Sequence, residues 1–153
     1  MLAAALVIDI VGSTSRRAEL GEAAANARDL AERAQMAEAV RSRGGEVVDF
    51  TGDGAIALLP SSSAGLAAAL ALCGPHYRIG LAVGEVHQLD GTWSGAPLVA
   101  AAWLEQRCPP GAVACSALAM RTATTALASV AEPLPGTPPG SIQPDAVVLR
   151  PAD

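Results

Sequence analysis

A chain of 153 residues, half of them apolar with much of that alanine and only 3% aromatic, suits one compact fold with a small-residue, helix-rich core. A net charge of −5, carried against ten arginines and no lysine, argues against a nucleic-acid or anionic-membrane surface. No apolar run is long enough to span a bilayer, and the apolar start reaches Asp9 without a basic leader or a following cleavage site, which reads as a cytoplasmic protein.

In chain order, the continuous β-branched run around Leu6–Val11 predicts a first strand over 3–10, of the kind buried on both faces. A helical region follows over 15–42, broken near Gly21, with Ser13 or Thr14 as its N-cap. Its expected buried stripe is Leu30, Ala34, Ala37 and Val40, with Arg28, Asp29, Glu32 and Arg33 solvated. Gly44-Gly45 ends the helix and opens a hairpin, 46–51 and 55–59, turning at Gly52-Asp53-Gly54. A helix is expected over 64–72, a strand over 76–86, a loop over 88–95, and a helix over 96–106 with Pro97 in its first turn. A strand over 112–115 and a helix over 116–127 complete the core, which spans about 3–127. Residues 132–144 are rich in Pro and Gly and read as a loop, and 146–149 as an edge strand. Cys73, Cys108 and Cys115 are odd in number and lack zinc spacing, so reduced thiols are expected. Alternating strands and helices around a central hairpin fit an α+β, ferredoxin-like sheet in a single domain, 1–153.

Two carboxylates stand out. Asp53 sits on an Asp-Gly turn between two apolar runs, where it is either a turn former or a projected ligand. Asp9 lies inside the first strand, where an acid is costly unless it is paired, hydrogen-bonded or metal-bound. Gly12-Ser13-Thr14 then leads into the helix, and a strand–turn–helix of this kind offers backbone N–H groups to a phosphate. Together, the two acids and the turn are what a divalent metal beside a triphosphate requires.

These segments resemble the class III adenylyl/guanylyl cyclase catalytic domain. VIDIVGST (7–14) is similar to that family's first metal-binding segment and VVDFTGDGAIALL (47–59) to its second. RIGLAVGEV (78–86) and WSGAPLVAAAWLE (93–105) are similar to the strand and helix that complete its site. The resemblance covers about 6–122 and has the four motifs in order. It implies attack of a ribose 3′-hydroxyl on the α-phosphate of ATP or GTP, with Mg²⁺ or Mn²⁺ held by Asp9, Asp53 and the Ile10 carbonyl, and phosphates cradled by the N–H groups of Val11, Gly12, Ser13 and Thr14. It also implies a head-to-tail homodimer that shares its sites.

Several family positions depart from the pattern. Asp49 stands four residues before Asp53, where the family commonly has Lys for adenylyl or Glu for guanylyl specificity, and Thr92 falls at the second base-reading position. Asp49 leans towards guanine and Thr92 towards adenine, so the base stays open. The Asn that orients the ribose is replaced by Val99, and the Arg that meets the transition state by Trp103. Arg107 lies one further turn along, roughly 6 Å away by helix rise, and is the candidate substitute. His87 is a loop histidine near the site. A haloacid-dehalogenase-type phosphatase is disfavoured, since Val11 stands where its second Asp belongs. The favoured reading is a degenerate cyclase-like domain that binds metal and a nucleotide with weak or no activity. The alternatives are an active cyclase with unusual determinants and a ligand-free dimerisation or regulatory domain.

Overall fold

The protein is described here by a computed structural model, over residues 1–123, 129–133 and 146–151. Its centre is β1 (Leu2–Ile10), whose alternate side chains enter two cores. Ala4, Leu6, Ile8 and Ile10 face one side, and Ala3, Ala5 and Val7 the other, as the period of two requires. The chain then forms α1 (Ser13–Leu20), α2 (Glu22–Arg41), β2 (Glu46–Thr51), β3 (Gly54–Leu59), α3 (Ser62–Leu72) and β4 (Tyr77–Glu85). A small hairpin, β5 (His87–Leu89) and β6 (Thr92–Ser94), precedes α4 (Ala96–Arg107), β7 (Ala112–Ser116), α5 (Ala117–Thr122), β8 (Ser129–Pro133) and β9 (Ala146–Pro151).

The main sheet has the order β2-β3-β1-β4-β7-β9-β8. Its β2-β3-β1-β4 half is antiparallel throughout and has the ferredoxin-like order, and β4–β7 is the parallel step, crossed by α4. This is the expected α+β architecture. Packing under one face are α2 and α3, through Met36, Val40, Leu66 and Leu72. On the other face α4 lies across β1, β4 and β7. That contact is close because β4 carries Gly80, where a Cβ would stand 2.0 Å from the Ala101 carbonyl oxygen. Among the described residues no helix is long and apolar enough to cross a membrane.

The expected break at Gly21 separates α1 from α2, and the Gly52-Asp53-Gly54 hairpin stands as read. Other expectations are corrected. Leu30 is 69% exposed and Ala34 is exposed, whereas Glu32 is 8% exposed. In a helix this rich in alanine the apolar pattern carries little phase. Arg16 decides it, bonding both Glu32 oxygens at 3.1 and 3.4 Å, with Arg28 Nε at 3.4 Å from the first of them. Arg17 also ties α1 to α2, through Asp29 and Asn26. Neither Ser13 nor Thr14 caps α1; Gly12 does, in a left-handed conformation with φ 71°. The span 88–95 is not a loop but forms most of the β5–β6 hairpin, with Asp90-Gly91 as its turn. The helix expected to 127 ends at Thr122, capped at Ala123. Glu132 and Pro133 belong to β8, and β9 is interior, paired with both β7 and β8, so the expected edge strand is not an edge. The rest of the expected 132–144 loop lies outside the described residues. All three cysteines are free thiols.

Candidate metal and nucleotide site

Asp9 stands near the end of β1 on the face covered by α4, following Ala3, Ala5 and Val7 in alternation. The β2–β3 hairpin brings Asp53 to it through register. Ile8 pairs with Ala55 and Asp9 with Gly54, and the Ile10 N–H closes the ladder by donating to the Asp53 carbonyl at 2.7 Å. Only glycine fits at position 54, since a Cβ there would stand 1.8 Å from the Ile8 carbonyl oxygen. The turn is therefore laid directly against the strand end, with Asp53 exposed and Asp9 half-buried. Because N–H and C=O of one strand residue point towards the same neighbour, the Ile10 carbonyl also faces this turn.

The electrostatics agree with this juxtaposition. Burial pushes the Asp9 carboxyl up, and the charge of Asp53 raises it further; Arg78 and the Ile10 N–H pull it back. Two neighbouring carboxylates of this kind are donors that a cation could share. Among the described residues no three His, Cys, Asp or Glu side chains are grouped to hold a metal. Mg²⁺ and Mn²⁺ typically take one or two carboxylates and complete their shell with water and substrate phosphates. The residues present fit such an ion: Asp9, Asp53 and the Ile10 carbonyl.

One of the N–H groups expected to cradle phosphates is already engaged. The Val11 N–H donates to the His76 carbonyl at 2.7 Å, within the extension of the β1–β4 ladder, so it is withdrawn from any ligand. Gly12, Ser13 and Thr14 remain, where the first turn of α1 leaves N–H groups without helical partners.

The two positions expected to read a base lie together. Asp49, beyond a bulge between Val47 and Asp49 on β2, and Thr92, which opens β6, line one cavity of about 300 Å³. Val48, Ile56, Trp93 and Leu98 supply its apolar walls. This is the lower end of the size range of small-ligand pockets. The neighbouring His87 is exposed and pairs with Ser94, at the far end of the hairpin from Thr92.

On α4, Ala100, Ala101, Leu104 and Glu105 turn to the sheet. Val99 is 60% exposed, and Trp103 is half-buried. Arg107 folds back along the helix: its guanidinium carbon lies 4.0 Å from the centroid of the Trp103 ring, and its Nη1 donates to the Trp103 carbonyl at 3.2 Å.

Two residues of this region were not singled out from sequence. Arg78 is the direct cross-strand partner of Asp9. Glu105 is 7% exposed, and its carboxyl is pushed up to about 7, first by burial and then by Asp9, with Arg78 opposing. The available signal was an acid on the apolar helix that follows an arginine-led apolar strand.

No family model and no curated protein matches the chain. Solved structures do. An adenylate/guanylate cyclase/hydrolase from Silicibacter pomeroyi is 25% identical, with 100% of this chain and 98% of that one covered at a TM-score of 0.80. An adenylyl cyclase from P. aeruginosa is 15% identical, covering 97% and 92%, at a TM-score of 0.79. The guanylate cyclase domain of a protein from Catenaria anguillulae, solved in complex with GTP, is 14% identical, covering 99% and 97%, also at 0.79. The α+β sheet with its ferredoxin-like half, and this coverage from end to end, give the chain the fold of the class III adenylate/guanylate cyclase catalytic domain.

Proposed function

We propose that this is a nucleotidyl cyclase-type domain that binds Mg²⁺ or Mn²⁺ together with a nucleoside triphosphate, ATP or GTP, and has weak or no cyclase activity. The observation that carries this reading is the register that lays Asp53 against Asp9 at the end of β1. When bound, the metal supplies polarisation of the attacking hydroxyl and neutralises phosphate charge. The chain's own part is to orient. Gly12, Ser13 and Thr14 offer N–H groups to the phosphates, and Asp49 and Thr92 face the base from one cavity. Asp49 can only accept hydrogen bonds when ionised, which favours the N–H edge of guanine, while the Thr92 hydroxyl can serve either purine. Calorimetry over ATP, GTP, CTP and UTP, each with Mn²⁺, tests the reading. A purine triphosphate is expected to bind only with metal present; no heat with any of the four contradicts it.

Weak activity follows from α4. Valine at position 99 has no polar group, and the indole of Trp103 offers one neutral N–H, so the charge that builds on the α-phosphoryl oxygens meets no strong donor from these positions. A second reading, an active cyclase, is favoured by one observation: the Arg107 guanidinium rests on Trp103 and returns a cation to that position.

Association is part of the same proposal. With Val99 60% exposed and Leu89 exposed at the hairpin tip, apolar side chains stand in the open on α4 and beside it. A head-to-tail homodimer places the outer face of α4 over the carboxylates of the partner subunit and covers them. Sedimentation equilibrium is expected to show a dimer at micromolar concentration. A monomer at high micromolar concentration contradicts it.

A further inference from the structure

None of the eight residues of α1 is buried, so the helix has no apolar anchor. It runs between Gly12 at φ 71° and Gly21 at φ 81°, and a Cβ at either would meet nothing within 4 Å, so packing wedges neither end in place. The element α1 lies against is α2, and what crosses between the two helices is charge. Arg16 Nη1 lies 3.1 Å from Glu32 Oε1 and Nη2 3.4 Å from Oε2, with the side chains only 17% and 10% exposed. Arg16 Nε is buried with no hydrogen-bond partner, so the guanidinium is committed end-on to that one carboxylate. Arg17 adds Glu22, Asn26 and Asp29 on the more open side. Exposed pairs of that kind hold weakly, whereas a buried pair that loses one partner leaves the other uncompensated. The backbone of Arg16 also closes the first turn of α1, its N–H donating to the Gly12 carbonyl at 3.0 Å. One residue thus grips α2 and finishes the turn that carries the Gly12, Ser13 and Thr14 N–H groups.

We propose that the Arg16–Glu32 ion pair is a clasp that sets the orientation of α1 on α2, and with it the aim of the Gly12, Ser13 and Thr14 N–H groups at a triphosphate. The inference rests on the reading that those groups meet the phosphates. Hydrogen bonds to an anion are directional, so a helix turned a little on its mount loses contacts without losing its shape. With no buried side chain to hold it, α1 depends on the clasp for that aim, while the two cores of the sheet do not. Arg28, which reaches Glu32 from the same helix, steadies the carboxylate but ties nothing to α1. Arg16 and Glu32 are positioning residues, acting on the ligand through the first turn of α1.

Amide hydrogen exchange, together with calorimetric binding of GTP in the presence of Mn²⁺, tests this on the wild type, Arg16→Gln, Glu32→Gln and the double variant. In each single variant the amides of α1 are expected to exchange about tenfold faster, with those of α3 and the central strands unchanged. GTP is expected to bind roughly tenfold more weakly to both. The shared direction is the signature. Acting only through charge, loss of Arg16 would weaken the binding of an anion and loss of Glu32 would strengthen it. The double variant stays within about twofold of the weaker single one, because the second substitution has no clasp left to break. Opposite shifts in the two single variants overturn the inference, as does a double variant that shows the full sum of two separate losses. So do α1 amides that keep the wild-type exchange rate. Should Arg16→Gln not fold, Glu32→Gln decides alone, by the direction of its GTP shift. A wild type that takes up no GTP with Mn²⁺ ends the nucleotide reading and the inference with it; a wild type that binds beside an unshifted Glu32→Gln defeats the inference alone.

Discussion

Restoring a ribose-orienting amide and a guanidinium to the outer side of α4, by Val99→Asn and Trp103→Arg, is expected to raise the rate of cyclic nucleotide formation by about 10²-fold or more. Val99 is exposed and Trp103 half-buried, so neither change opens a cavity in the core. One preorganised donor to a developing oxyanion is typically worth ~10²–10³ in rate, and two that act as a unit give less than the product. Replacing Trp103 also frees Arg107 from its stacked position, so the gain is to be measured with Arg107 both present and replaced by alanine. With ATP as substrate, Asp49→Lys belongs in the same variant, because a carboxylate in the cavity it shares with Thr92 would offer adenine's amino group a partner but no donor for its ring nitrogens. Product formation is read by chromatography. Robust activity of the unaltered protein contradicts the weak-cyclase reading and assigns the cation to Arg107. A folded, nucleotide-binding triple variant with no gain places the defect in how two copies meet.

The second large effect is on stability. The Glu105 carboxyl is raised from an ordinary 4.5 to about 7, by burial first and by Asp9 second. A group whose pKa is raised on folding favours the native state below its unfolded value, and that contribution is lost as pH climbs through the folded one. The wild type should therefore lose stability between about pH 4.5 and about pH 7, by roughly 3 kcal/mol at most, since each pKa unit is about 1.4 kcal/mol. Glu105→Gln removes the charge but keeps the shape. It is expected to match the wild type at pH 4 and to melt on the order of 6–12 °C higher at pH 8, given about 2–4 °C per kcal/mol for a chain of this size. Thermal unfolding of both proteins across that range checks it. Parallel curves, with no pH-dependent gap, contradict the assignment of a buried acid with a raised pKa to position 105.

Glu105 also shows where sequence ran short. A carboxylate in an apolar helix reads equally as a solvated edge or a buried acid, and only the contact of α4 with Gly80 decides between them. The phase of α2 failed for a related reason: alanine on every side gives no preferred face, and the deciding contact, Arg16 to Glu32, spans two helices. Strong local chemistry fared better. The β-branched run of β1, the Asp-Gly hairpin and the break at Gly21 were all legible. So was the order of the motifs, and with it the ferredoxin-like arrangement of the first four strands of the main sheet. The residues expected to read the base, Asp49 and Thr92, are far apart in sequence and line one cavity. Backbone hydrogen bonds were beyond reach, and one of them already engages the Val11 N–H that was expected to cradle phosphate. β8 was missed because a segment ending in Glu132-Pro133 looks like the start of a loop until β9 pairs with it.

Everything about function turns on whether Asp9 and Asp53 hold a metal for a nucleotide. The direct measurement is calorimetric binding of GTP and of ATP, with and without Mn²⁺, to the wild type and to Asp53→Asn. Asp53 is exposed at the hairpin turn, and its side chain can lose its charge without disturbing the Ile10 N–H bond to the backbone carbonyl. The account predicts metal-dependent binding by the wild type, weakened at least about tenfold in a fully folded Asp53→Asn. Equal affinity in the two proteins, or binding indifferent to metal, would contradict it.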